Sequence, residues 1–145
     1  MAADGTKFGE RFESTTDRYL EQLTTCVEAV VPLLDRYRDG GAYVPVVERI
    51  HRLESDCDET KRTLGGLILS VDPKTTGIRR TWVYLHADRL LELYETLDSI
   101  ANSAEQFASE LDAIEPPRRE PCLDGLYRMA ERAVTAIHEL EYAVS

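Results

Sequence analysis

Val46-Val47-Glu48-Arg49-Ile50-His51-Arg52-Leu53-Glu54-Ser55-Asp56-Cys57-Asp58-Glu59 begins the stretch, Val46 to Val71, whose reading decides the fold. Its apolar positions are Val46, Ile50, Leu53, Cys57, Leu64, Leu67 and Val71, with Thr60 completing the series, and they alternate in steps of four and three. That is the period of one buried stripe on an α-helix. On one flank of the stripe run Val47, His51, Glu54, Asp58 and Lys61. Glu54 and Asp58 lie four apart, so their carboxylates project from adjacent turns of one edge and repel. Two explanations are open: a bound cation that neutralises them, or a solvated edge on which Lys61 pairs with Asp58.

The same four-three alternation extends outward in both directions. Towards the N-terminus it takes in Phe12, Thr16, Tyr19, Leu23, Cys26, Val30, Leu33 and Tyr37, a long first helix after a loose tail over residues 1–7. Pro32 removes one backbone hydrogen bond inside that helix and predicts a bend near Glu28–Val31. Gly40-Gly41 ends it, and Pro45 suits the first turn of the next. Towards the C-terminus, Asp72-Pro73-Lys74-Thr75-Thr76-Gly77 reads as a turn. Ile78 to Leu85 is either a short lead-in helix or the start of a long one. Leu90, Leu93, Leu97, Ile100, Ala104, Phe107, Leu111 and Ile114 mark a third helix, which stops before the stiff loop Pro116–Pro121. Leu123, Leu126, Ala130, Ala133, Ile137, Leu140 and Val144 mark a fourth. No strand-like alternation is present. The expectation is all-α: an antiparallel up-and-down bundle of four long helices, a single domain over residues 8–145.

At 145 residues the chain is long enough for one proper core. It has no run of eighteen apolar residues, so direct membrane insertion is not expected. Met1 to Glu10 lacks an apolar signal core, which makes the cytoplasm the expected location. Cys26, Cys57 and Cys122 lie far apart and show neither disulfide nor zinc spacing. The net charge of −10 disfavours nucleic acid and anionic lipid as partners. Fourteen arginines against three lysines on an acidic chain suit a halophilic protein, working where salt screens charge repulsion.

Chemistry has few places to sit. If the second and third helices pack antiparallel, the flank of the third, with Tyr94, Asp98, Glu105 and Asp112, faces Glu54 and Asp58. Carboxylates converging in this way call for a hard cation such as iron, manganese, magnesium or calcium. His51, if it joined them, would favour iron or zinc. Glu48-Arg49-Ile50-His51 has the Glu-x-x-His spacing of di-iron bundles, but no second copy exists around His86 or His138. No nucleophile elbow or glycine-rich phosphate loop is present, so the chain does not read as an enzyme of those classes.

Ile50-His51-Arg52-Leu53-Glu54-Ser55-Asp56-Cys57-Asp58-Glu59 resembles the helix-two signature of PhoU-like phosphate-transport regulators, a hydrophobic pair followed by Glu-x-x-x-Asp. The likeness is closest to the short archaeal and bacterial branch paired with Pit-type phosphate transporters. Leu97-Asp98-Ser99-Ile100-Ala101-Asn102 resembles the family's third-helix motif with its last aspartate replaced by asparagine. The resemblance implies a metal role for Glu54, Asp58, Asp98 and Asn102, and contact with a membrane phosphate transporter or signalling protein. Family members hold two three-helix units, whereas this chain offers one unit plus a helix in which Leu126 to Val144 echoes Leu20 to Leu34. A homodimer through the first and fourth helices would complete the exposed faces. The expected function is therefore a non-enzymatic regulator or accessory of phosphate transport. A metal-dependent four-helix-bundle enzyme or metal-storage protein, and a plain helical interaction module, stand as the alternatives.

Overall fold

The structure, a computed structural model, describes residues 2–71 and 78–144, with side chains over 7–71 and 81–143. Six helical segments follow one another: α1 (Ala2–Glu28), α2 (Val30–Arg38), α3 (Val44–Leu69), α4 (Ile78–Leu85), α5 (Ala87–Ile114) and α6 (Glu120–Val144). No strand forms among the described residues. The turn expected at Asp72–Gly77 lies outside them.

Each break has a local cause. Pro32 has no N–H to offer the Glu28 carbonyl, so the first rod interrupts at Ala29. The helical ladder resumes at once, with Leu33 N–H donating to Ala29 O at 3.2 Å. α2 closes as a Schellman motif: Gly41 N–H donates to Arg36 O at 3.0 Å and Gly40 N–H to Tyr37 O at 3.2 Å. Gly40 sits at φ +71°, the left-handed conformation that motif requires. At the opposite terminus α1 begins at Ala2, within the residues read from sequence as a tail. Phe8 and Phe12 follow one turn apart, their ring centroids 6.1 Å apart, and both are buried. The sequence left α4 open, and it is a short helix of its own, separated from α5 at His86 (φ −114°, ψ 14°).

Cross-helix contacts fix the directions. His51 meets Glu105 while Lys61 meets Asp98, so α3 and α5 run antiparallel. Thr24 meets Glu141, Glu28 meets His138 and Asp35 meets Tyr127, so α6 runs antiparallel to the rod formed by α1 and α2. α3 packs extensively on α5 and on α1, whereas α6 lies along α1 and α2. Tyr19, Leu23, Cys26, Leu33, Tyr37, Ile50, Cys57 and Leu64 are wholly enclosed. Burying a side chain of that size contributes roughly 1.5–3 kcal/mol.

Two of the expected stripes are rotated. On α5, Leu93 and Ile114 are exposed, and the buried line runs through Leu90, Tyr94, Leu97, Ala101, Ala104, Ala108 and Leu111. On α6, Ala133 is exposed, while Val134 joins Ala130 and Ile137 at the core. The α5 rotation matters most, because it carries the flank bearing Asp98 under the interface.

One end of the molecule is tied by aromatic side chains. Tyr43 OH donates to Glu115 Oε1 at 3.0 Å, and Tyr37 OH donates to Pro116 O. Arg118 Nε donates to Tyr37 O at 2.7 Å and its guanidinium lies 4.5 Å from the Tyr37 ring centroid. Glu115 itself is left-handed, at φ 47°, capping α5 before Pro116.

Candidate functional site

The facing edges of α3 and α5 form an acidic seam in two linked parts. The first contains Glu54, His51 and Glu105. Glu54 is half-buried, and burial is the main reason its carboxyl is pushed up to about 7. A hydrogen bond to Glu105 and the charge of that carboxylate add to the effect, followed by the charges of Asp98 and Asp58. Glu105 Oε2 lies 3.2 Å from His51 Nδ1, and His51 Nε2 lies 3.4 Å from Ser109 Oγ.

The second part contains Asp98, 5% exposed and the most enclosed carboxylate among the described residues. Its Oδ2 accepts from Lys61 Nζ at 3.3 Å and, at the long distance of 3.5 Å, from Asn102 Nδ2. Lys61 Nζ also lies 3.0 Å from Glu95 Oε1. Burial pulls the Lys61 pKa down, but its hydrogen bonds to Glu95 and Asp98 outweigh that, and the net shift is upward. Asp98 Oδ1 and the Tyr19 hydroxyl are both buried without a hydrogen-bond partner. Burial first, and the Asp98 charge second, raise the Tyr19 pKa far above the usual phenol range.

The sequence-expected site residues fare differently. Glu54 and Asp98 do face one seam. Asp58 lies on the same edge but turns along its own helix to Arg62 Nη2, 2.7 Å away. Asn102 is exposed and presents its amide nitrogen, not its oxygen, to Asp98. His51 reaches Glu105. Glu48 is exposed, so Glu48-x-x-His51 does not point into the bundle as a di-iron motif would. The expected Lys61–Asp58 pair is replaced by a bridge from Lys61 across to α5. Glu105, on the flank expected to face Glu54, does reach the seam, whereas Glu95 is a partner that the sequence reading does not name. The signal was present for Glu105, which stands two turns from Asp98 on the same flank.

Among the described residues no group of three or more His, Cys, Asp or Glu side chains is placed to hold a metal ion. The arrangement explains why. Lys61 pairs with Asp98 and Glu95, Arg62 pairs with Asp58, and His51 lies against Glu105. As placed, the implied metal ligands do not converge, and the seam carries its own counter-charges. It can hold and exchange a proton and clamp two helices by ion pairs. The class so defined is an all-helical protein with titratable groups enclosed between antiparallel helices. No known protein family, curated protein or solved structure matches the chain.

Proposed function

We propose that the protein is a non-enzymatic, PhoU-like regulator or accessory of phosphate transport, acting on the cytoplasmic side through its helical faces. Its partner would be a membrane phosphate transporter or a signalling protein. The observation that carries this reading is that the two stretches bearing the family resemblance, Glu54 to Asp58 and Asp98 to Asn102, lie on facing edges of one antiparallel pair. A homodimer through the α1–α6 side fits the solvent-facing flank of α6, where Met129 and Tyr142 are exposed. The test is phosphate uptake in the native host with the gene deleted. Altered uptake, restored by the intact gene, is expected; unaltered uptake at both scarce and abundant phosphate would remove the reading.

Lys61 favours a second reading, a helical interaction module whose acidic seam is purely structural. Thermal unfolding with added Mn²⁺ separates the two. A seam that serves as a cation site gives a parent protein stabilised by Mn²⁺ and an Asp98→Ala variant that is not. A seam whose permanent counter-ion is Lys61 gives an unresponsive parent, and only Lys61→Ala gains a response.

A further inference from the structure

α6 packs along α1 and α2, and Leu123, Ala130 and Ile137 form its buried line. About a quarter turn around the same helix runs a second apolar line: Leu126, Met129, Ala133, Ala136, Leu140 and Ala143. Its steps alternate three and four, the period of a helix–helix seam. Leu126 and Leu140 are half-buried where the two lines adjoin, while Met129 is 68% exposed and the three alanines face solvent. On the flank of this second line turned away from the core stand Arg132 and Glu139. They are seven residues apart, so they hold the same heptad position. Among the described residues neither side chain makes an ion pair or hydrogen bond within the chain.

We propose that a second copy of the chain covers this line, the two α6 helices packing antiparallel across a two-fold axis level with the Val134–Thr135 peptide. That register sets Ala133 against the partner's Ala136, Met129 against the partner's Leu140 and Leu126 against the partner's Ala143. Alanine at the centre lets the two backbones approach closely, and the larger side chains fill the seam on either side. The same register, with no further adjustment, sets Arg132 beside the partner's Glu139 and Glu139 beside the partner's Arg132. A parallel pair would bring that flank beside the partner's Ala130 and Ile137, where neither charge is matched. Charge complementarity therefore selects both the occupant and its direction. The inference rests on the homodimer through the α1–α6 side and assigns its contact, whatever process the protein regulates.

Sedimentation equilibrium of the full-length protein reads the assembly. A dimer is expected, and Met129→Glu, at an exposed position, should dissociate it while leaving the circular dichroism unchanged. Arg132→Glu and Glu139→Arg should each weaken dimerisation about ten-fold, and the two combined should restore it, because the exchanged charges meet again. Direction is read by disulfide cross-linking under copper–phenanthroline oxidation, with the exposed Cys122 removed as Cys122→Ser. Ala133→Cys mixed with Ala136→Cys should cross-link, and neither variant should do so alone. A parent that stays monomeric at every concentration removes the homodimer and this seam together. A dimer indifferent to Met129→Glu, a charge exchange that fails to restore association, or cross-linking of Ala133→Cys to itself overturns this seam and leaves the homodimer standing on another contact.

Discussion

The α3–α5 and α1–α6 interfaces use the same chemistry and put it to different effect. Each is antiparallel and each contains a histidine–glutamate contact, His51 to Glu105 at 3.2 Å and His138 to Glu28 at 2.7 Å. The shorter pair is the more solvated one, with about half of each side chain exposed. Between α3 and α5 the α5 side of the seam is lined by Ala101, Ala104 and Ala108, all buried. Small residues let two helices approach closely, and the groups beside the seam, Asp98 above all, are covered as a result. Enclosure, more than proximity of charges, is what turns a row of carboxylates into a coupled unit.

The largest expected effect tests that enclosure. Lys61→Met leaves the buried Asp98 without its cation, and should cost roughly 2–4 kcal/mol in urea unfolding. Lys61→Met combined with Asp98→Leu should recover most of the loss, because both charges then leave together. If the single variant loses less than the solvated pair does, the contrast between the interfaces collapses.

A smaller effect is expected from pH. The folded protein holds the Glu54 proton up to about 7, whereas a glutamate in the unfolded chain releases it near about 4.3. The folded state therefore binds more protons across that window, and stability from this group is complete below it and falls as pH rises through it. Partial solvation limits the change to about 1–2 kcal/mol, and Glu54→Gln should flatten that part of the stability–pH curve. The smallest effect belongs to the exposed pair. His138→Ala should change stability by less than about 1 kcal/mol, and less still in high salt.

Much of the architecture is legible in the letters, and the exceptions are instructive. The stripe from Val46 to Val71 and the break at Pro32 follow from period and backbone chemistry alone, so they survive into the structure. The largest apolar residues of α5 suggest a stripe that includes Leu93 and Ile114, both of which are exposed. Periodicity favours bulk, whereas close helix packing selects alanine, and only the partner helix decides between them. The same limit governs the seam. Glu54 facing Asp98 could be read from two flanks meeting, but the raised Glu54 pKa depends on burial that no spacing encodes. Lys61 has candidate partners on its own helix and across the interface; the rotation of α5 resolves the choice.

The tyrosine ties at the Gly40–Pro116 end have a kinetic consequence. Tyr37, Tyr43 and Arg118 fasten one interhelical turn to another through hydrogen bonds to Pro116, Glu115 and Tyr37 itself, so separating the rods there breaks several contacts at once. Fraying should begin at the far end and travel toward this knot, as a zipper opens away from its stop. Amide deuterium uptake should accordingly be fastest in the opening turns of α1 and α5 and slowest beside Tyr37.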